Sequence, residues 1–323
     1  MSSVPQLKKD FIQTLHSFSH SHNQSTVFSD WLEMAAISLH QLPYHNGDFP
    51  KDETFADLEA KYTEREKCYT PEERTAFAKL FGLSLMAHRE GFSDFLGEIA
   101  AEQELLNERG GQFFTPYEVC KMMAKMTFAD AKAIVEEKGL ITVSEPASGG
   151  GAMVIASAEA LVEQGVDPRS CAQFDCIDIS RDAFNMTYIQ LAALDLQAVV
   201  RHGNTLSNEM WESRPTPQLR YFDQWIREHQ QIARLEQLRD FFVNPEAFPA
   251  ASSQEGEEEV ITTDSLETSA PQAQEVAEQP SLFEIDTFAP ADPTERRPSR
   301  RKADVTLPQP EQLDLFGQER QGE

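Results

Sequence analysis

The chain has 323 residues, 40% of them hydrophobic, and its 28 basic and 54 acidic side chains leave a formal charge of −26. An anionic excess this large excludes a protein that coats nucleic acid by broad electrostatic attraction, so any DNA contact has to be local or supplied by a partner. Cys68, Cys120, Cys171 and Cys176 form no CxxC pair, which argues against a zinc site or a disulfide framework. Met1 to Asp10 lacks a signal-peptide core, and no later run approaches the roughly 18 apolar residues of a membrane span, so a cytoplasmic chain with no membrane partner is expected.

In chain order, His16, His20 and His22 come first, in a serine-rich stretch that reads as polar, mobile terminus rather than a metal tract, and no metal is expected. From about Thr26 to Arg109 apolar residues recur at helical spacing: Phe28, Trp31, Leu32, Ala35 and Leu39, then Phe77, Leu80, Phe81, Leu83, Leu85 and Met86. Thr70 followed by Pro71, Glu72 and Glu73 is a helix start, with a hydroxyl cap, proline at the first position and acids at the positive end. Residues 1–109 therefore read as an all-helical N-terminal lobe.

Between Leu140 and Leu206 short β-rich runs alternate with helical stretches, the pattern of a parallel βαβ arrangement. Strands are predicted at Ile141 to Ser144, Phe174 to Ile177 and Ala198 to Arg201, with crossover helices over Ala152 to Gln164 and Asp182 to Asp195. The fold class is α/β, a Rossmann-like half-sheet of about three parallel strands. Trp211 to Gln218 reads as a proline-bearing loop with no further strand, and Leu219 to Phe242 as one long amphipathic helix, closing a domain over 110–249. Over 250–323, Ser, Thr, Pro, Gln and Glu dominate; such a segment buries too little apolar area to offset its ordering entropy and is predicted to be a disordered acidic tail.

The chemistry concentrates in Glu145-Pro146-Ala147-Ser148-Gly149-Gly150-Gly151, directly after a strand and before a helix. Glycines there let the backbone approach a ligand and present amide groups at a helix N-terminus. Many nucleotide folds share such a turn, and by itself it could be a plain tight bend. Asp178 ends the second strand one βαβ unit later, where a carboxylate can accept hydrogen bonds from ribose hydroxyls. The set points to an adenosine-containing cofactor rather than to phosphate alone.

Gly111-Gln112-Phe113-Phe114-Thr115-Pro116, followed by the Glu145 to Gly151 segment, resembles the modification-subunit family of type I restriction systems, which has an adenine-N6 DNA methyltransferase fold. Asp94-Phe95-Leu96-Gly97-Glu98 is similar to that family's helical lead-in, so the resemblance runs from about residue 90 to about residue 206. It implies S-adenosylmethionine as cofactor. Phe114, Thr115 and Pro116 would wall its methionine end; Glu145, Pro146, Ala147, Ser148, Gly149 and Gly151 would hold its amino and carboxylate groups. Asp178 would take the ribose, and Asn204, where the family usually has an aspartate, the adenine. Ser148 replaces the family's usual cysteine, and Gly150 stands where serine is commoner.

The family also places an Asp or Asn, two prolines and an aromatic residue at the end of a fourth strand, where they activate the target amino group and stack on the flipped base. This sequence contains no such tetrapeptide, so the catalytic residues are unknown; Asn208 and Trp211 are the nearest local substitutes, and the plainer reading is a loop with a packed tryptophan. In the tail, Gln312-Leu313-Asp314-Leu315-Phe316 matches the pentapeptide by which bacterial proteins dock on the replication sliding clamp, with a looser copy at Gln279 to Phe283. Arg296, Arg297, Arg300, Arg301 and Lys302 form a basic patch that could touch phosphate backbone. Two functional expectations result. One is an adenine-N6 DNA methyltransferase-family protein of DNA modification that binds S-adenosylmethionine and is either catalytically impaired or dependent on a specificity or methylase partner. The other is a non-catalytic cofactor-binding module that docks on the clamp or on a partner methylase.

Overall fold

The computed structural model describes residues 3–18, 22–105 and 114–243. The predicted tail, its clamp-like pentapeptide Gln312 to Phe316, the basic cluster and Gly111 to Phe113 lie outside the described residues. Five helices come first: α1 (Val4–Leu15), α2 (Gln24–His45), α3 (Glu53–Glu66), α4 (Pro71–Glu90) and α5 (Phe95–Glu102). Helix α1 precedes the serine-rich stretch that carries His16, His20 and His22. Leu7, Phe11 and Leu15 recur every four residues on one face of α1 and are buried. The Phe11 ring stands edge-on to Trp31 at 5.1 Å and to Phe95 at 5.7 Å. His16 lies 2.9 Å from the Gln103 side-chain oxygen, whereas His22 lies 3.7 Å from the Glu73 carboxylate, so the two belong to different contacts. His20 lies outside the described residues.

Helix α4 starts where its sequence says it should. Glu73 N donates to Thr70 Oγ1 and Thr70 N donates back to Glu73 Oε2 at 2.9 Å, a reciprocal capping box that satisfies two otherwise orphan amides. Next come α6 (Tyr117–Thr127), α7 (Ala131–Lys138), β1 (Ile141–Glu145), α8 (Ala152–Glu163), α9 (Pro168–Cys171), β2 (Ala172–Asp178), α10 (Arg181–Ala193), β3 (Gln197–Asn204), β4 (Glu209–Pro215) and α11 (Pro217–Val243). The sheet order is β1-β2-β3-β4, and the first three strands are parallel, as the βαβ pattern requires.

The fourth strand corrects the expectation of a loop at Trp211 to Gln218. β4 runs antiparallel to β3, pairing Asn204 with Glu209 and Val199 with Pro215, with a register irregularity at His202 and Gly203. Its sequence is charged and ends in proline, so intrinsic preference argues against a strand; cross-strand hydrogen bonds and an ion-pair network make it one. Arg181 on α10 donates through Nη2 to Glu33 Oε1 on α2 (2.6 Å) and through Nη1 to Glu212 Oε2 on β4 (2.5 Å). Arg214 is only 2% exposed and donates to the other Glu212 oxygen at 2.5 Å.

Every residue of α10 from Ala183 to Ala192 is buried, because the helix is covered by β2 and β3 and by α2. A helix apolar on most of its circumference needs such surroundings. One contiguous core extends from Leu7 on α1 to Val200 on β3 and so includes both the leading helices and the sheet. Helix α11 takes the place predicted for the long amphipathic helix and lies against β3 and α2. Among the described residues no helix is long and apolar enough to cross a membrane.

Candidate functional site

The three parallel strands end side by side. Glu145 pairs with Cys176 and Asp178 with His202, so Glu145, Asp178 and Asn204 stand at the carboxyl edge of the sheet, the edge at which open α/β sheets bind ligands. The chain after Glu145 turns sharply into α8. Gly151 N donates to the Ser148 carbonyl at 2.8 Å to close the turn, and Ser148 N donates to the Ile177 carbonyl at 2.9 Å. Gly149 and Gly151 have φ of +56° and +100°, a left-handed backbone that side chains with a Cβ rarely adopt. A Cβ on Gly149 would sit 3.0 Å from the Phe114 ring, so Phe114 packs directly over the loop.

Asp178 binds the loop to the start of α10. Its Oδ2 accepts from Gly149 N and its Oδ1 from Ser180 N, each at 2.8 Å. The side chain is 9% exposed; burial raises its pKa above the ordinary carboxylate value, although the Ser180 and Gly149 amides pull the other way. The Ile179 amide also bears on the carboxylate, whose two oxygens together offer about four acceptor positions and so keep capacity to spare. Glu145 Oε1 accepts from Ala147 N at 3.1 Å. Thr205 Oγ1 donates to the Pro146 carbonyl at 2.6 Å, tying the end of β3 to the same loop. Gly151 begins α8 without a side-chain cap.

The predicted site residues thus fall into two groups. Phe114, Glu145, Pro146, Ser148, Gly149, Gly151 and Asp178 are brought together by the contacts above. Thr115 and Pro116 are exposed and lead into α6, and Ala147 is exposed on the loop. Asn204 is at the correct edge, but its Oδ1 is taken by Leu206 N (3.0 Å) and Ser207 N (3.4 Å) in a local turn, leaving its NH2 group as the available donor. Asn208 holds the left-handed position of the β3–β4 turn, with φ of +55°. Trp211 lies on β4, 54% exposed and edge-on to His202 at 4.8 Å. Among the described residues no hydrogen bond joins either one to the glycine loop.

Three residues escaped sequence reading: Thr187 and Gln190 on α10, which bind the loop from beneath, and Thr205. The available signal was two polar side chains three apart within the otherwise apolar run Met186 to Ala193.

Residues 93–228 match the N-6 DNA Methylase family. The matched segment takes in Asp94 to Glu98, Phe114 to Pro116, the glycine loop, Asp178 and Asn204. Among solved structures the chain is similar to a type I restriction-modification system methyltransferase subunit from Streptococcus thermophilus, with 13% identity and a TM-score of 0.33. The alignment covers 65% of this chain and 60% of that one, so the chain spans under two-thirds of that subunit's length. No curated protein matches the chain.

Proposed function

We propose that the methylase-family segment binds S-adenosylmethionine across the carboxyl ends of β1, β2 and β3, and serves DNA adenine modification together with a partner chain. The observation that carries this reading is the junction of Gly149 and Asp178, 2.8 Å apart at the tips of neighbouring strands. The residues fit the group. The left-handed glycine bend beneath Phe114 leaves a cradle that a Cβ would fill, the uncapped start of α8 suits a carboxylate, and Asp178 retains acceptor capacity for vicinal hydroxyls. Bound there, the cofactor supplies an electrophilic methyl group on a sulfonium. Phe114 would wall the loop side, Glu145 would pair with the cationic amino group, and the Asn204 NH2 group would offer a donor to a ring nitrogen.

The partner enters the proposal because the sequence has no Asp/Asn-Pro-Pro-aromatic segment to activate a target amino group and stack on its base. Calorimetric titration with S-adenosylmethionine tests the cofactor site, and saturable binding is expected. Tritium transfer from labelled cofactor to mixed-sequence DNA tests the rest: no incorporation by the chain alone, and incorporation when a partner methylase or specificity subunit is added. Absence of binding would overturn the cofactor reading, and efficient methylation by the isolated chain would overturn the need for a partner.

A further inference from the structure

Helix α10 sends two polar side chains, Thr187 and Gln190, to the underside of the glycine loop from one face, three residues apart. Thr187 Oγ1 lies 3.0 Å from the Gly149 carbonyl and 3.2 Å from Ser148 Oγ. Gln190 Nε2 donates to the Gly150 carbonyl at 2.6 Å and to Asp94 Oδ1 at 2.8 Å. Its Oε1 accepts from Leu96 N at 3.0 Å and lies 3.1 Å from His88 Nε2. The amide can sit only one way round, because exchanging its oxygen and nitrogen would turn an oxygen toward a carbonyl and a carboxylate. Gln190 is 0% exposed, and a buried amide of this kind is tolerated because all its groups are satisfied.

Two successive loop carbonyls are therefore held by one helix. The peptide unit is planar and trans, so fixing the Gly149 carbonyl toward α10 directs the Gly150 amide the opposite way, while fixing the Gly150 carbonyl holds the Gly151 amide on the Ser148 carbonyl, where it closes the turn. The loop cannot relax toward α5 either, since a Cβ on Gly150 would lie 3.1 Å from Asp94 Oδ1 and 3.2 Å from Gly97 Cα. We propose that Thr187 and Gln190 are positioning residues of the cofactor site: without touching the ligand, they preset the glycine loop so that cofactor binding does not have to order it. This rests on the S-adenosylmethionine reading above.

The test is calorimetric titration of the full chain with S-adenosylmethionine at pH 8 and pH 6, with melting temperatures measured in parallel, for wild type, Gln190→Glu, Thr187→Val and Tyr188→Phe. A carboxylate at position 190 would face the Gly150 carbonyl and Asp94 with no proton to donate, so affinity at pH 8 should fall by more than about tenfold. The titratable groups facing that position are His88 from α4 and Asp94 from α5, with Glu98 and Lys8 beyond Asp94. At pH 6 the new carboxyl takes up a proton more readily and the gap to wild type should narrow. Thr187→Val keeps the shape and loses one donor; affinity should fall roughly fivefold. Tyr188 contacts His40 and the Pro215 carbonyl, away from the loop, so Tyr188→Phe should lower the melting temperature and leave affinity at the wild-type value.

Folded variants at positions 187 and 190 with wild-type affinity would overturn the inference and leave the cofactor reading standing. An equal loss of affinity in Tyr188→Phe would also overturn it, showing a general effect of stability. If Gln190→Glu does not fold, Thr187→Val carries the same test. A wild-type chain that binds no cofactor removes both the reading and the inference.

Discussion

Replacing Glu212 by glutamine should destabilise the protein in a way that depends on pH. Burial would push the Glu212 carboxyl up, but the Arg214 and Arg181 guanidinium groups outweigh burial and hold it at about 2, against an ordinary 4.5. That difference corresponds to about 3 kcal/mol of stability at neutral pH. Glutamine keeps one acceptor oxygen, so the net loss should be about 2–3 kcal/mol, close to the cost of leaving a buried arginine without its counterion. Arg214 has few alternatives: Glu33 lies farther off, and the remaining neighbours of its guanidinium are Asn185 at 3.4 Å and the faces of Phe184 and Tyr188. For a folded body of this size each kcal/mol moves the melting temperature by about 2–4 °C, so Glu212→Gln should melt roughly 5–10 °C below wild type at pH 7. Because the folded pKa is depressed, the stabilisation is fully present above the ordinary value and is lost as pH falls toward 2. The penalty should therefore shrink steadily between pH 5 and pH 3. Thermal denaturation followed by circular dichroism at pH 7, 5 and 3 measures it. A variant melting within 1 °C of wild type at pH 7, or a penalty that does not shrink in acid, would refute the reasoning.

Two further substitutions address the loop. Asp178→Asn leaves one oxygen where two now serve the Gly149 and Ser180 amides, and turns an NH2 group against one of them; S-adenosylmethionine affinity should drop by roughly tenfold or more in calorimetry, with a modest change in melting temperature because the cost of burying a charge is relieved. Gly149→Ala places a Cβ at a left-handed φ and 3.0 Å from the Phe114 ring. It should cost about 1–2 kcal/mol, and adding Phe114→Ala should not restore the melting temperature in full, since the backbone penalty remains.

Much of this architecture was legible in the residues themselves. The spacing of Phe28, Trp31, Leu32, Ala35 and Leu39 places α2, and Thr70 to Glu73 write the start of α4, because capping and amphipathic periodicity are local effects within one or two turns. The order of strand, glycine bend, helix, strand and Asp178 is also local, and each glycine answers to its own backbone angle.

What the sequence determined, then, was the succession of helices and parallel strands and the position of the glycine loop within it. Tertiary structure alone decided that Glu209 to Pro215 is a strand. Its charged residues have no intrinsic preference for one, and they become stable there only when β3 supplies hydrogen bonds and Arg181 and Glu33 neutralise what is buried. Tertiary structure likewise turned Thr187 and Gln190 from polar residues in an apolar helix into supports of the loop, since their partners Gly149, Gly150 and Asp94 are 38 to 96 residues away in the chain. Local periodicity carries no information about which distant carbonyl a buried amide will meet; that is set when the helix docks.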